Sequence, residues 1–304
     1  MVRVQPIPYT RQMRIDIHTH CSKQSGLSRP NGSRYPTPGE LVATLDEKGI
    51  DRAVILATVS PEFRYALVTP EQTLEYANEY PDRLIPFCSV DPRYLTNDES
   101  ADFVPMLEFY RKAGFRGIGE FIPNIPVDHP MNMNVFRAAE SVGLPLTFHL
   151  APALGGFYGC YDELGLPRLE EVLKTVPDLA FLAHSQVFWA EISSDVTEEG
   201  RSGYPTGRVT PGRVVELMRR YPRLYGDLSA GSGYNAISRD REFGASFLEE
   251  FSDRLLFGTD IANLNQKTPI VGYLDELLAN GSISKETYEM VTWKNAVRIL
   301  RLEQ

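Results

Sequence analysis

The chain has 304 residues, of which 42% are hydrophobic and 23% charged, with a formal net charge of −9. That balance supports a large soluble core and speaks against nucleic acid or an anionic membrane as the main partner. A small anionic substrate is not excluded, because one pocket can be basic on an acidic protein.

The opening MVRVQPIPYTRQ lacks an apolar core of signal-peptide length. No stretch approaches the ~20 apolar residues of a membrane span. The three cysteines, Cys21, Cys88 and Cys160, show no zinc-site spacing. So sparse a set suits a reducing cytoplasm, where we expect the protein to reside. Cys21 stands beside His20 and reads as a small core filler.

Short β-rich runs recur in chain order. They are RIDIH from Arg14, RAVILA from Arg52, RLIPFCSV from Arg83 and FRGIGEF from Phe115, then LPLTFHL from Leu144, LAFLAH from Leu179, RLYGDLS from Arg223 and RLLFGTD from Arg254. Roughly 30–45 residues separate successive strand ends, room for a loop, a helix and a return. The intervening segments carry helix starts. Thr37, Pro38 and Glu40 form a capping box, and Thr69, Pro70 and Gln72 repeat it. Thr210 with Pro211, and Pro167, open two more. Gly49, Gly114 and Gly143 mark stops, as do Pro81, Pro177 and Pro222. A last helix starts at Ser284.

Strand and helix alternating eight times imply a parallel sheet covered by helices. Eight units close into a (β/α)8 TIM barrel, a single domain over 1–304 with 1–13 as an N-terminal extension. No glycine-rich phosphate fingerprint follows the first strand.

Active sites of such barrels sit at the C-terminal strand ends. His18 and His20 end the first strand, Glu120 the fourth, His149 the fifth, His184 the sixth and Asp260 the eighth. Strand alternation places Asp16, His18 and His20 on one face, and Ile15, Ile17 and Thr19 on the other. Four of the five histidines thus share one mouth, and the fifth, His129, lies in the loop after the fourth strand. Nitrogen and oxygen donors converging from separate strands suit a divalent ion, zinc first and manganese or magnesium once carboxylates join. Asp16 and Asp227 read as buried carboxylates that orient their neighbours.

These residues resemble the amidohydrolase superfamily, in its amidohydrolase-related branch. The matching motifs are DIHTH, FHL, AHS, FGTD and the closing KNAVRIL, from about Arg14 to Arg301. The resemblance implies that His18, His20, His149 and Asp260 bind a metal. It also implies that His184 touches a second metal or polarises substrate. Glu120, in GIGE, is similar to the bridging glutamate of TatD-type nucleases. One or two ions fit that set, and Glu120 reads equally as a bridge or as an orienting partner of a ligand histidine.

Hydrolysis of an amide, lactone or ester follows as the leading expectation, with Asp260 moving the proton and His184 stabilising the oxyanion. The alternative is non-oxidative decarboxylation of an aromatic or unsaturated acid, which the same branch includes. A metal-binding barrel without catalysis is the third reading.

Pocket walls come from the loops after each strand. The first offers Arg29, Arg34 and Tyr35, and the second Phe63, Arg64 and Tyr65. The fifth offers Phe157, Tyr158 and Tyr161. The sixth, from Ser185 to about Thr210, offers Phe188, Trp189, Tyr204 and Arg208. Arg34, Arg64, Tyr158, Trp189 and Arg208 are the candidates to hold a carboxylated, partly planar small molecule. A homodimer is the default expectation on symmetry grounds.

Overall fold

The computed structural model describes residues 13–24, 27, 29, 32–63 and 67–302. Nine strands occur among them: β1 (Ile15–Thr19), β2 (Arg52–Ile55), β3 (Leu84–Pro86), β4 (Ile118–Phe121), β5 (Leu146–Ala151), β6 (Cys160–Tyr161), β7 (Phe181–His184), β8 (Leu224–Asp227) and β9 (Leu255–Leu256). All pairings are parallel. They run β1-β2-β3 and β4-β5-β7-β8-β9, and the two-residue β6 sits beside β5.

Two seams close the ring. Cys88 bridges to Ile118, and Gly119 N donates to Cys88 O at 2.7 Å. On the other side Thr19 bridges to Ile261, and Asp260 N donates to His18 O at 2.8 Å. The eight expected strands therefore form one closed barrel, with β6 as an added loop strand.

Helices α1 (Pro38–Lys48), α2 (Pro70–Glu79), α3 (Val104–Ala113) and α4 (Pro130–Val142) follow the first four strands. Next come α5 (Pro167–Thr175), α6 (Gln186–Ala190), α7 (Arg213–Arg220), α8 (Ala230–Ser238) and α9 (Arg241–Glu250). The last are α10 (Pro269–Ala279), α11 (Lys285–Glu289) and α12 (Asn295–Leu300), the final two joined by a π-helical turn, Met290–Lys294. Both capping boxes form as the sequence predicts, at Thr37/Glu40 and Thr69/Gln72. Gly49, Gly114 and Gly143 take left-handed φ values as C-caps.

Two apolar layers hold this frame. In one, strand residues such as Ile55, Phe148 and Phe181 pack against helix residues such as Leu41, Phe136 and Leu173. In the other, Ile15, Val54, Ile85, Leu182, Tyr225 and Leu256 meet. Strands so far apart around the ring touch only through its interior. Leu300 of α12 and Leu302 join that inner layer.

The sequence reading fails locally at two places. The helix expected from Thr210 and Pro211 begins at Arg213, with Gly212 as N-cap. Pro211 instead pairs antiparallel with Ser193, and Thr210 N donates to Ser193 Oγ, so the segment stays extended. The first strand is also irregular. Asp16 matches Ala53 and Thr19 matches Ile55, so three steps on β1 face two on β2. Such a bulge moves Asp16 off the histidine face.

Candidate metal centre

The barrel mouth gathers the side chains that end β1, β4, β5 and β7, with Asp260 just past β9. His18 Nε2 and His20 Nε2 lie 3.3 Å apart. Asp260 Oδ1 is 3.4 Å from His20 Nε2 and 3.7 Å from His18 Nε2. Ligands bound at ~2.1 Å in a tetrahedron sit ~3.4 Å from each other, so these three atoms have the spacing of one coordination sphere. Glu120 Oε2 lies 3.7 Å from His20 Nε2, but Glu120 groups with His149 and His184 rather than with His18 and Asp260. Its other oxygen accepts from His149 Nδ1 at 2.9 Å.

Partners behind the centre orient it. The fully buried His18 Nδ1 donates to Asp227 Oδ2 at 2.6 Å, which aims Nε2 into the mouth. Asp227 Oδ1 accepts from Ser229 N, and Ser229 Oγ bonds His184 Nδ1 at 2.9 Å. Asp16 accepts from the amides of His18 and Thr259 and from the Thr259 hydroxyl, tying β1 to the turn that carries Asp260. Asp260 itself adopts a left-handed φ of 55°. Gln266 Nε2 donates to the Asp260 carbonyl, and Gln266 Oε1 accepts from Ala262 N, which holds that turn.

The electrostatics ask for a cation. Burial disfavours charge on His18, yet the carboxylates of Asp227, Asp260 and Glu120 outweigh it and push its pKa up to about 10. Burial also opposes ionisation of Glu120 and Asp260, but the histidines hold both below the usual carboxylate range. Burial and the neighbouring His18 lower His184 to about 4, so it is neutral at pH 7. Two imidazoles and a carboxylate with this spacing fit a divalent ion, and His18, His20 and Asp260 would hold it. His149 and His184 flank them, and with Glu120 they form a second group of closely spaced donors.

A cavity of about 520 Å³ opens over the centre. Tyr35, Phe63 and Tyr158 wall it, and Arg29, Asn263 and Gln266 line it too. Tyr35 stacks on His20 with ring centroids 5.2 Å apart. Tyr158 packs against His149 at 4.7 Å and edge-on to Phe63 at 4.9 Å. The Arg29 guanidinium sits 4.8 Å from the Tyr35 ring and donates to Ala262 O.

Of the four expected substrate contacts among the described residues, only Tyr158 lines this cavity. Arg34 forms a two-armed pair with Glu40, the helix-capping carboxylate, at 2.7 and 2.8 Å. Trp189 is buried in the core, its ring against Gly226, where a Cβ would meet it at 2.7 Å. Its Nε1 donates to Asp227 O at 2.8 Å, so it supports the centre from behind. Arg208 is exposed, outside the cavity lining. Arg64 lies outside the described residues. Ser229, Asn263 and Gln266 went unnoticed in the sequence as site residues. Gln266 follows FGTD closely enough to have been suspected. Cys21 is buried with its thiol pushed up, and belongs to the core.

A closed parallel barrel with histidine and carboxylate donors at its C-terminal mouth defines a metal-dependent barrel enzyme. The amidohydrolase family model matches residues 15–302, and the chain belongs to that family. No curated protein sequence matches it. Among solved structures it is similar to an uncharacterized TIM-barrel protein of Bordetella bronchiseptica, at 18% identity and a TM-score of 0.66, covering 95% of this chain and 98% of that one. It is also similar to a dihydroxybenzoic acid decarboxylase of a Polaromonas species, with bound manganese and 2-nitroresorcinol. That match has 15% identity and a TM-score of 0.62, over 96% and 98% of the two chains. A third is a probable 2-pyrone-4,6-dicarboxylic acid hydrolase of Acinetobacter baumannii with citric acid bound, at 16% identity and a TM-score of 0.57, over 95% and 99%. At these identities the likeness establishes the fold.

Proposed function

We propose that the protein is a divalent-metal-dependent decarboxylase of a planar, ring-bearing carboxylic acid. One observation carries the reading: the donors of His18, His20 and Asp260 converge beneath a cavity walled by three aromatic rings and lined by Arg29. Aromatic walls suit a flat ring, and a guanidinium beside a cation site suits carboxylate. Decarboxylases recur among the similar solved structures, several with manganese. That shifts the balance away from hydrolysis and from zinc, which the sequence put first.

When bound, the ion acts as a Lewis acid that orients the substrate oxygens. Arg29 neutralises an anionic group of the substrate. Tyr35, Phe63 and Tyr158 hold the ring and exclude water. The bond from ring to carboxylate breaks, CO2 leaves, and the electron pair stays on the ring carbon. Asp260, ionised at rest, takes a proton from water at the mouth and delivers it to that carbon.

Hydrolysis is the second reading, and Glu120 favours it. Its two oxygens face His20 and His149, an arrangement that also suits two ions. There Asp260 serves as base and the neutral His184 polarises the carbonyl.

The two readings part in one experiment. Manganese-loaded protein is incubated in D2O with 2,6-dihydroxybenzoate and with 2-pyrone-4,6-dicarboxylate. Decarboxylation yields CO2 and one deuterium on the vacated carbon, and Asp260→Asn slows it by ~10²–10⁴-fold while the fold persists by circular dichroism. Ring opening of the pyrone without CO2 would make the enzyme a hydrolase.

A further inference from the structure

A second cavity, of about 220 Å³, abuts the first and shares His149 and Tyr158 with it. It lies between the loop after β5 and the start of α6. Leu150, Ala151, Phe157 and Val187 form its apolar walls, and Gln186 and Ser202 complete its rim. Leu150, Ala151 and Val187 are buried. A dry apolar cavity of about 150 Å³ is enough to hold benzene, so this chamber has room for a ring-sized group.

Tyr158 and His149 form the partition between the chambers. Tyr158 is 38% exposed. It follows Gly155 and Gly156, both with left-handed φ and with open space where a Cβ would be. Asn124 pins the loop ends, accepting from Gly155 N and donating to the carbonyls of Ala153 and Gly159. Gly159 is fixed hard against the His149 backbone, where a Cβ would come within 2.9 Å of its carbonyl oxygen. The loop is therefore fixed at its ends, and Tyr158 at its tip faces both cavities.

We infer that the side chamber is a substrate subsite for an apolar substituent, and that the natural substrate is an aryl- or alkyl-substituted ring acid rather than a bare one. The inference rests on the decarboxylase reading, in that it takes the substrate to be a ring carboxylate seated over the metal centre. The ring lies between Tyr35 and Tyr158. Its substituent passes beside the Tyr158 side chain and enters the chamber against Leu150 and Val187.

Calorimetric binding to manganese-loaded protein tests this without turnover. The probes are 2-hydroxybenzoate and its 3-, 4- and 5-phenyl derivatives. At least one phenyl isomer should bind about tenfold more tightly than the parent acid. Ser202→Trp, at an exposed rim position, should fill the chamber and bring that ratio to one. Equal affinities for parent and all isomers would overturn the subsite while leaving the ring-acid reading intact. Binding of manganese with no binding of any ring acid would overturn both.

Discussion

His18 and Asp227 form a short, wholly buried link between the centre and its support, 2.6 Å from Nδ1 to Oδ2. The pair reaches past β9, from β1 to β8. It fixes the imidazole so that Nε2 faces His20 and Asp260. Asp227→Asn keeps the shape but removes the charge that supports a ligating imidazole. We expect manganese affinity to fall by ~10–100-fold, measured by calorimetry, with the far-ultraviolet spectrum unchanged. Unchanged affinity would remove Asp227 from the support of the centre.

Glu170 gives a pH-dependent test of the scaffold. It accepts from Arg213, Arg220 and Tyr221, which ties α5 to α7 and the segment after it. Burial would raise its pKa, but these partners outweigh burial and hold it at about 2, against an ordinary value of 4.5. A depressed carboxylate stabilises the fold fully above pH 4.5, and the contribution fades as pH falls to about 2. Glu170→Gln should therefore lose about 1 kcal/mol at pH 7 and nothing relative to wild type near pH 2. Thermal melting of both proteins across that range reads the difference.

Two helical glycines should respond in opposite directions. At Gly244 in α9 an added Cβ would meet the Ile237 carbonyl oxygen at 1.8 Å, so α8 and α9 touch through that position. Gly244→Ala should cost ~1–3 kcal/mol. Gly272 in α10 is exposed with nothing within 4 Å of an added Cβ. Gly272→Ala should raise stability by ~0.5–1 kcal/mol through helix propensity alone. Urea unfolding of the two variants checks both signs.

The centre was legible because strand ends in a barrel share one mouth. Once eight runs were placed, His18, His20, Glu120, His149, His184 and Asp260 had to meet. The bulge in β1 was not legible, since nothing in RIDIHTH marks where its pairing with β2 slips. Of the two arginines in the first loop, the sequence reading chose Arg34 over Arg29 to hold substrate. The Glu40 carboxylate captures Arg34, and its capping position was already visible, so that pairing was there to be read. Trp189 looked like a pocket wall because it follows AHS in a long loop. The missing side chain of Gly226 leaves room for the indole, which sinks into the core instead. Such a cavity filled from across the sheet is a tertiary fact that loop position does not encode.

The most direct test of the centre is a manganese titration of the metal-free protein, counted per chain by calorimetry and checked by elemental analysis. We expect one ion per chain, held by His18, His20 and Asp260, and its loss in a His18→Ala, His20→Ala double variant. Two ions per chain would make Glu120 a bridge, bring His149 and His184 in as ligands, and contradict the single-ion decarboxylase.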